Sequence, residues 1–250
     1  MELSFELLAL LSMVAMVAGF IDAIAGGGGL LTIPALMFTG ISPVQAIATN
    51  KLQACFGSFT ATRFFIKQKL VIPKQQIGGI IAAAIGAIIG ALAIQSFDPD
   101  ILITVLPFAL IIIAIYLLLA KNFGQATTAS KLKKGTFNAT FITGVGFYDG
   151  LFGPGTGTFF TLSYCKMRAK NLIQATAHAK LMNFTTNIVS LFIFILSDQI
   201  IWQVGLAMAL GQIIGAQLGA ATAIKQGTHF IRYMTVAVCI AMSISLLLKH

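Results

Sequence analysis

Four ionisable residues of this chain lie deep inside apolar segments: Asp22, Lys51, Asp149 and Lys180, with His178 beside the last. A charge placed in hydrocarbon costs at least about 2.5–3.5 kcal/mol, so such groups pair with one another or face a wet cavity. Two glycine clusters accompany them, Gly26-Gly27-Gly28-Gly29 and Gly153-Pro154-Gly155-Thr156-Gly157. A helix beginning at Leu30 and another beginning near Thr158 would aim unpaired N–H groups and positive dipole ends at one place. The lysines add point charges with freely rotating donors. Thr32, Thr49, Asn50, Thr156, Thr158 and His178 add further donors. This set of groups suits a small anion. Asp22 and Asp149 would repel an anion unless lysine or a proton neutralises them, which makes them candidates for a gating or proton-linked role. Tyr148 flanks the second cluster and is a candidate for lining the path. A bland alternative stays open: Lys51 and Lys180 could snorkel to an interface, or simply pair with the aspartates. On the anion reading, replacing either lysine by Met should spare the fold and weaken anion binding.

The surroundings of these residues are those of a membrane protein. The chain has 250 residues, 58% hydrophobic and 9% charged, with a mean hydropathy of +0.93. Soluble domains run nearer 25% charged, so a soluble enzyme and a disordered chain are both excluded. At roughly 20 residues per span there is room for about eight hydrophobic passes. The first apolar run follows Glu2 and Glu6 with no preceding base. A secretory signal needs a basic leader, so this run is expected to stay in the fold.

Apolar segments fall near residues 3–25, 30–38, 44–66, 77–97, 101–120, 135–152, 158–165, 174–196, 201–224 and 228–248. The second and seventh are too short to cross an approximately 30 Å core, and each follows a glycine cluster. Each cluster is therefore expected to tip a broken or re-entrant helical hairpin, since irregular backbone at membrane depth survives only inside protein or beside water. The chain also repeats. Gly19-Phe20-Ile21-Asp22 matches Gly146-Phe147-Tyr148-Asp149, and Gln45-Ala46-Ile47-Ala48-Thr49-Asn50-Lys51-Leu52 matches Gln174-Ala175-Thr176-Ala177-His178-Ala179-Lys180-Leu181. Gly86 and Gly90 stand opposite Gly215 and Gly219. The expected organisation is a first transmembrane repeat over 1–120, a basic linker over 121–134 and a second repeat over 135–250.

Charge orients the two halves. If each hairpin returns to its own side and three further segments of each half cross, thirteen of the sixteen bases fall on one side with no acid among them. These are Arg63, Lys67, Lys69 and Lys74, Lys121, Lys131, Lys133 and Lys134, Lys166, Arg168 and Lys170, and Lys225 and Arg232. Glu2, Glu6, Asp98, Asp100 and Asp198 fall opposite. The positive-inside rule makes the basic side, linker included, cytoplasmic and both termini external. The predicted fold is an all-α polytopic membrane protein of two inverted repeats, a design of secondary transporters.

Other chemistries are absent from the pattern. Cys55, Cys165 and Cys239 are isolated, which argues against zinc or a disulfide framework. Gly26–Gly29 lacks the Lys-Ser/Thr ending of a phosphate loop, so no nucleotide is expected. The net charge of +9 is explained by loop bias, so no nucleic acid is expected either. No cofactor, metal or enzyme constellation is indicated. Gly86-x-x-x-Gly90 and Gly211-x-x-x-Gly215-x-x-x-Gly219 are close-packing ridges that serve either the contact between halves or a homodimer; the sequence leaves both open. The expected partners are a small anionic substrate and the lipid bilayer.

The segment Gly19–Leu36, with Ala48-Thr49-Asn50-Lys51-Leu52, resembles the first-half signature of the sulfite exporter TauE/SafE family. Gly146-Phe147-Tyr148-Asp149-Gly150, Gly153-Pro154-Gly155 and Ala175–Leu181 resemble its second half. The likeness covers essentially the whole chain. It implies a transporter of sulfite, sulfonates or related sulfur oxyanions in a bacterial inner (plasma) membrane. The residues alone reach only a small anion. The expected function is export of such an anion by a secondary carrier; the alternatives are an anion channel on the same hairpins or a carrier for a non-sulfur organic anion.

Overall fold

The computed structural model describes residues 4–97 and 130–247, with side chains through Lys225. The described elements are helices: α1 (Phe5–Ala25), α2 (Gly29–Phe38), α3 (Pro43–Lys67), a short 3₁₀ turn (Pro73–Gln76), α4 (Ile77–Ile94), α5 (Lys134–Phe137), a π turn (Asn138–Ile142), α6 (Thr143–Leu151), α7 (Thr156–Arg168), α8 (Leu172–Leu196) and α9 (Trp202–Leu247). Helix α5, the π turn and α6 follow one another without a break.

Local chemistry sets the boundaries. Ser42 and Asn171 accept the N–H groups of Gln45 and Gln174 at 3.3 and 2.9 Å and start α3 and α8, both 25 residues long. Capping of this kind satisfies one of the orphan donors of a first turn. Helix α1 stops at Gly26, whose φ of +83° suits glycine and whose N–H reaches back to the Asp22 carbonyl at 2.8 Å. Helices α2 and α7 are about 15 and 20 Å long at 1.5 Å per residue, too short to cross a bilayer core.

Four helices among the described residues are long and apolar enough to cross a membrane: Phe5–Ala25, Pro73–Ile94, Leu172–Leu196 and Trp202–Lys225. The segment expected over 101–120 lies outside the described residues. The segments expected separately over 201–224 and 228–248 are instead one 46-residue helix, α9. No proline separates them, and one glycine, Gly227, costs a helix only about 1 kcal/mol.

Glycine faces bring the backbones together. A methyl added at Gly215 would lie 1.9 Å from the Met16 carbonyl oxygen, and one at Gly219 2.3 Å from that of Phe20. Contacts on α1 advance with those on α9, so the two helices run parallel. Gly86 and Gly90 meet the carbonyl oxygens of Thr143 and Phe147 on α6 at 2.2 and 2.1 Å in the same sense. Both glycine ridges thus make close helix contacts within the chain.

Polarity runs inside out. Ile81, Ile85, Ile89 and Leu92 on α4, and Leu206, Leu210, Ile214 and Leu218 on α9, are exposed at helical spacing. Asn50, Lys51, Gln53, Asp149, Lys180, Asn183, Asn187 and Gln212 are buried. An apolar exterior around a polar interior is the arrangement of a multi-pass membrane protein.

Candidate functional site

The site forms where the two glycine-bearing tips touch. A methyl on Gly26 would lie 2.3 Å from both the Gly157 carbonyl carbon and the Thr158 nitrogen, and one on Gly29 would lie 3.3 Å from Pro154. The Thr158 hydroxyl donates to the Ala25 carbonyl across this contact. Beside it, α3 and α8 carry Lys51 and Lys180 inward.

Each lysine is held by an aspartate far away in the sequence, from the opposite half of the chain. Lys51 Nζ lies 2.8 Å from Asp149 Oδ1, and Lys180 Nζ lies 2.8 Å from Asp22 Oδ2. The Lys51 and Asp149 side chains are 0% and 1% exposed, Lys180 1% and Asp22 19%. Neither lysine snorkels; both are paired in the interior. The remaining oxygens are also committed. Asp149 Oδ2 accepts from Asn183 at 3.3 Å and from the Thr186 hydroxyl. Asp22 Oδ1 accepts the Gly28 N–H at 3.2 Å. Gly28 is the residue before α2, so the Asp22 carboxylate occupies the positive end of that short helix. A protein anion therefore holds one of the places that an external anion would want.

A cavity of about 20 Å³ lies between the pairs, with Asp22, Asp149, Gly26, Gly28, Gly29, Gly153 and Gly157 in its wall. Apart from Ala54, its other walls are neutral amides: Asn50, Gln53, Asn183, Asn187 and Gln212. One water needs roughly 10–15 Å³ measured this way, so the space admits about one. Asn50 Oδ1 accepts from the Thr32 hydroxyl and from Gln53 Nε2. Gln212 lies across the axis, its Oε1 2.4 and 2.6 Å from where methyls on Gly57 and Gly19 would lie. Chemically this is a small chamber with two lysine-paired carboxylates and with amide donors and acceptors in its wall.

Several expected site residues lie elsewhere. Thr49 accepts the Ile201 N–H at 3.1 Å. Thr156 donates to the Gly153 carbonyl at 2.6 Å, and Tyr148 to the Pro154 carbonyl at 2.7 Å, so both shape the second tip. Gly155, with φ of +75°, precedes α7. Leu30 is packed in the core, and Gly27 lies 3.3 Å (from a notional methyl) from its side chain. His178 lines a different cavity, with Lys134, Tyr164, Arg168 and Lys170. The amides Gln53, Asn183, Asn187 and Gln212 carry no charge, so burial cost does not single them out in the sequence. Their signal was available: amides at positions 50 and 53, and at 183 and 187, recur at one-turn spacing on the lysine-bearing helices.

The chain matches the model of the family described as sulfite exporter TauE/SafE over residues 11–246. It is 46% identical over 241 residues to the probable membrane transporter protein YfcA of Escherichia coli K12, covering 96% of this chain and 90% of that one. It is 43% identical over 246 residues to the probable membrane transporter protein ORF9 of a Sinorhizobium species, covering 98% and 94%. The probable membrane transporter protein YunE of Bacillus subtilis is 26% identical, with 92% of each chain covered. No solved structure matches the chain. With buried ion pairs between the two halves of the chain inside an apolar helical shell, and agreement along nearly its full length, the chain belongs to the sulfite exporter TauE/SafE family, whose named relatives are probable membrane transporters.

Proposed function

We propose that the protein is a secondary transporter that exports a small oxyanion, of the sulfite or sulfonate class, by alternating access across a bacterial inner membrane. The observation that carries this reading is the exchange of partners: the lysine of each repeat is bound to the aspartate of the other, beside the contact of the two tips. Any relative motion of halves 1–120 and 135–250 about the linker 121–134 must stretch these pairs. Breaking one while buried leaves an uncompensated charge, so the pairs separate only when water or an anion replaces the lost partner.

An arriving oxyanion would take the lysine ammonium, and on the first tip also the Gly28 N–H, from the carboxylate. The displaced Asp22 or Asp149 must then reach water or take a proton, which links loading to opening on one side. Substrate-binding roles fall to Lys51, Lys180, Asn50 and the tip glycines, and gating to Asp22 and Asp149. For an outward-moving anion the membrane potential contributes about 2.3 kcal/mol per charge per 100 mV. The family description supports the sulfur class of substrate.

In proteoliposomes the purified protein should give saturable sulfite uptake, stimulated by sulfite preloaded inside. Linear, unstimulated flux would replace the carrier by a channel. Saturable flux of carboxylates with none of sulfite or sulfonates would overturn the sulfur assignment.

The inverted repeat and the re-entrant tips have their own test. Lys69 and Asp198 are the same position of the repeat, 129 residues apart, each following a 25-residue helix and each with positive φ, 56° and 52°. In this topology Lys69 is cytoplasmic and Asp198 external. The basic segments meet in space: Lys134 donates to the Gln75 carbonyl, and Arg168 to that of Leu132 at 2.6 Å. Single cysteines at Lys69, Lys131 and Arg168 should resist an impermeant thiol reagent applied to whole cells, and one at Asp198 should react. Labelling of the 69 and 198 positions from one side would end the inverted-repeat reading.

A further inference from the structure

We infer that a second cavity, at the basic end of the molecule, is an oxyanion-binding site distinct from the chamber between the ion pairs. It measures about 120 Å³, and Lys134, Arg168, Lys170, Tyr164 and His178 line it with no acidic residue among the lining groups. That is room for several waters, or for one tetrahedral or pyramidal oxyanion with part of its hydration.

Its positive charge is held in place, and among the described residues no acidic side chain pairs with it. Arg168 Nη1 donates to the Ser130 hydroxyl at 2.9 Å and the Leu132 carbonyl at 2.6 Å, and its guanidinium lies 6.0 Å from the centre of the Phe137 ring. Lys134 donates to the Gln75 carbonyl. These partners are neutral, so they fix the cations in position and leave the charge available to a ligand. Arg168 retains further N–H donors in its fork. Lys170 is half-buried beside them.

The second, independent observation is Tyr164. Its side chain is 3% exposed, and its hydroxyl has no hydrogen-bond partner among the described residues. Buried polar groups are almost always satisfied, so an orphan donor in a cationic pocket points to a ligand oxygen that accepts from it. Tyr164 packs on His178 with ring centres 5.0 Å apart, and His178 Nδ1 lies 2.7 Å from the Gln174 carbonyl, which fixes the wall behind the hydroxyl.

The repeat supplies an internal control. The positions equivalent to Lys134, Tyr164, Arg168, Lys170 and His178 are Leu7, Ala35, Thr39, Ile41 and Thr49. There Leu7, Ala35 and Ile41 pack in an apolar cluster and Thr49 takes the Ile201 N–H. The shared fold therefore does not require the basic cavity; the second repeat alone has it. Its role as the cytoplasmic vestibule that gathers substrate rests on the transport reading, whereas its anion binding does not.

The test is calorimetric titration of sulfate and of sulfite into the protein in uncharged detergent, with melting followed in parallel. Lys170→Gln should weaken oxyanion binding at this site about tenfold, the loss of one charge-assisted contact. Tyr164→Phe should also weaken it, while the anion-free protein melts at the same temperature or higher, because an unpaired buried hydroxyl has been removed. A merely structural tyrosine would instead lower the melting temperature. Unchanged sulfate and sulfite affinities in both variants would overturn the site. So would binding of short-chain phosphatidylglycerol with no binding of free oxyanions, which would assign the cavity to lipid headgroups. Flux intact with affinities unchanged removes the site and leaves the transport reading standing; weakened binding in a protein that transports no anion does the reverse.

Discussion

Lys51→Met should destabilise the protein by about 3–5 kcal/mol, the usual cost of stranding a buried charge. Asp149 is 1% exposed, and without Lys51 its carboxylate keeps, among the described residues, the neutral Asn183 and Thr186 contacts. Adding Asp149→Asn removes the stranded charge, so the double variant should recover much of the loss and melt well above either single variant. Thermal unfolding in detergent across the four proteins yields the coupling directly. The same cycle on Lys180 and Asp22 should give a smaller penalty, because Asp22 is 19% exposed and keeps the Gly28 N–H. Sequence reasoning expected Lys51→Met to spare the fold; complete burial of the pair reverses that expectation. A Lys51→Met protein that melts with the parent would show that the pair is not closed in solution.

Gly26→Ala should abolish transport and lower the melting temperature, and Gly40→Ala separates the two reasons. Both glycines have left-handed φ, +83° and +85°. An alanine there costs about 1–2 kcal/mol of backbone strain. At Gly40 nothing lies within 4 Å of the added methyl, so strain is the whole effect. At Gly26 the methyl would overlap the backbone of Gly157 and Thr158, and backbone cannot rotate away as a side chain can. Overpacking adds typically about 1–3 kcal/mol, and here it would force the two tips apart. Comparing the two variants by melting and by sulfite counterflow isolates the tip contact. Equal losses would mean that the tips are not in contact in the working protein.

Much of this protein was legible in its sequence. Unbroken apolar runs of about 20 residues with few charges point to helices in a bilayer, where each helix satisfies its own backbone. The matching apolar segments near 44–66 and 174–196 are the 25-residue helices α3 and α8, and the first glycine cluster holds Gly26, where α1 ends because glycine tolerates its left-handed φ. The four charged residues at depth stand out against the apolar segments that contain them. What lay beyond reach was partner choice. Periodicity places Lys51 and Lys180 on a helix face but does not say which way that face turns, and their aspartates are 98 and 158 residues away. The aspartates are set by the packing of α1 on α9 and of α4 on α6, through glycines whose contacts leave no room for a methyl, and α3 and α8 bring each lysine to an aspartate of the opposite half. The same packing turns His178 away from the chamber and Gln212 into it. A helix fixes the order of its side chains along one axis; the rotation and approach of neighbouring helices are set by tertiary contacts, and those decided which residues share a site.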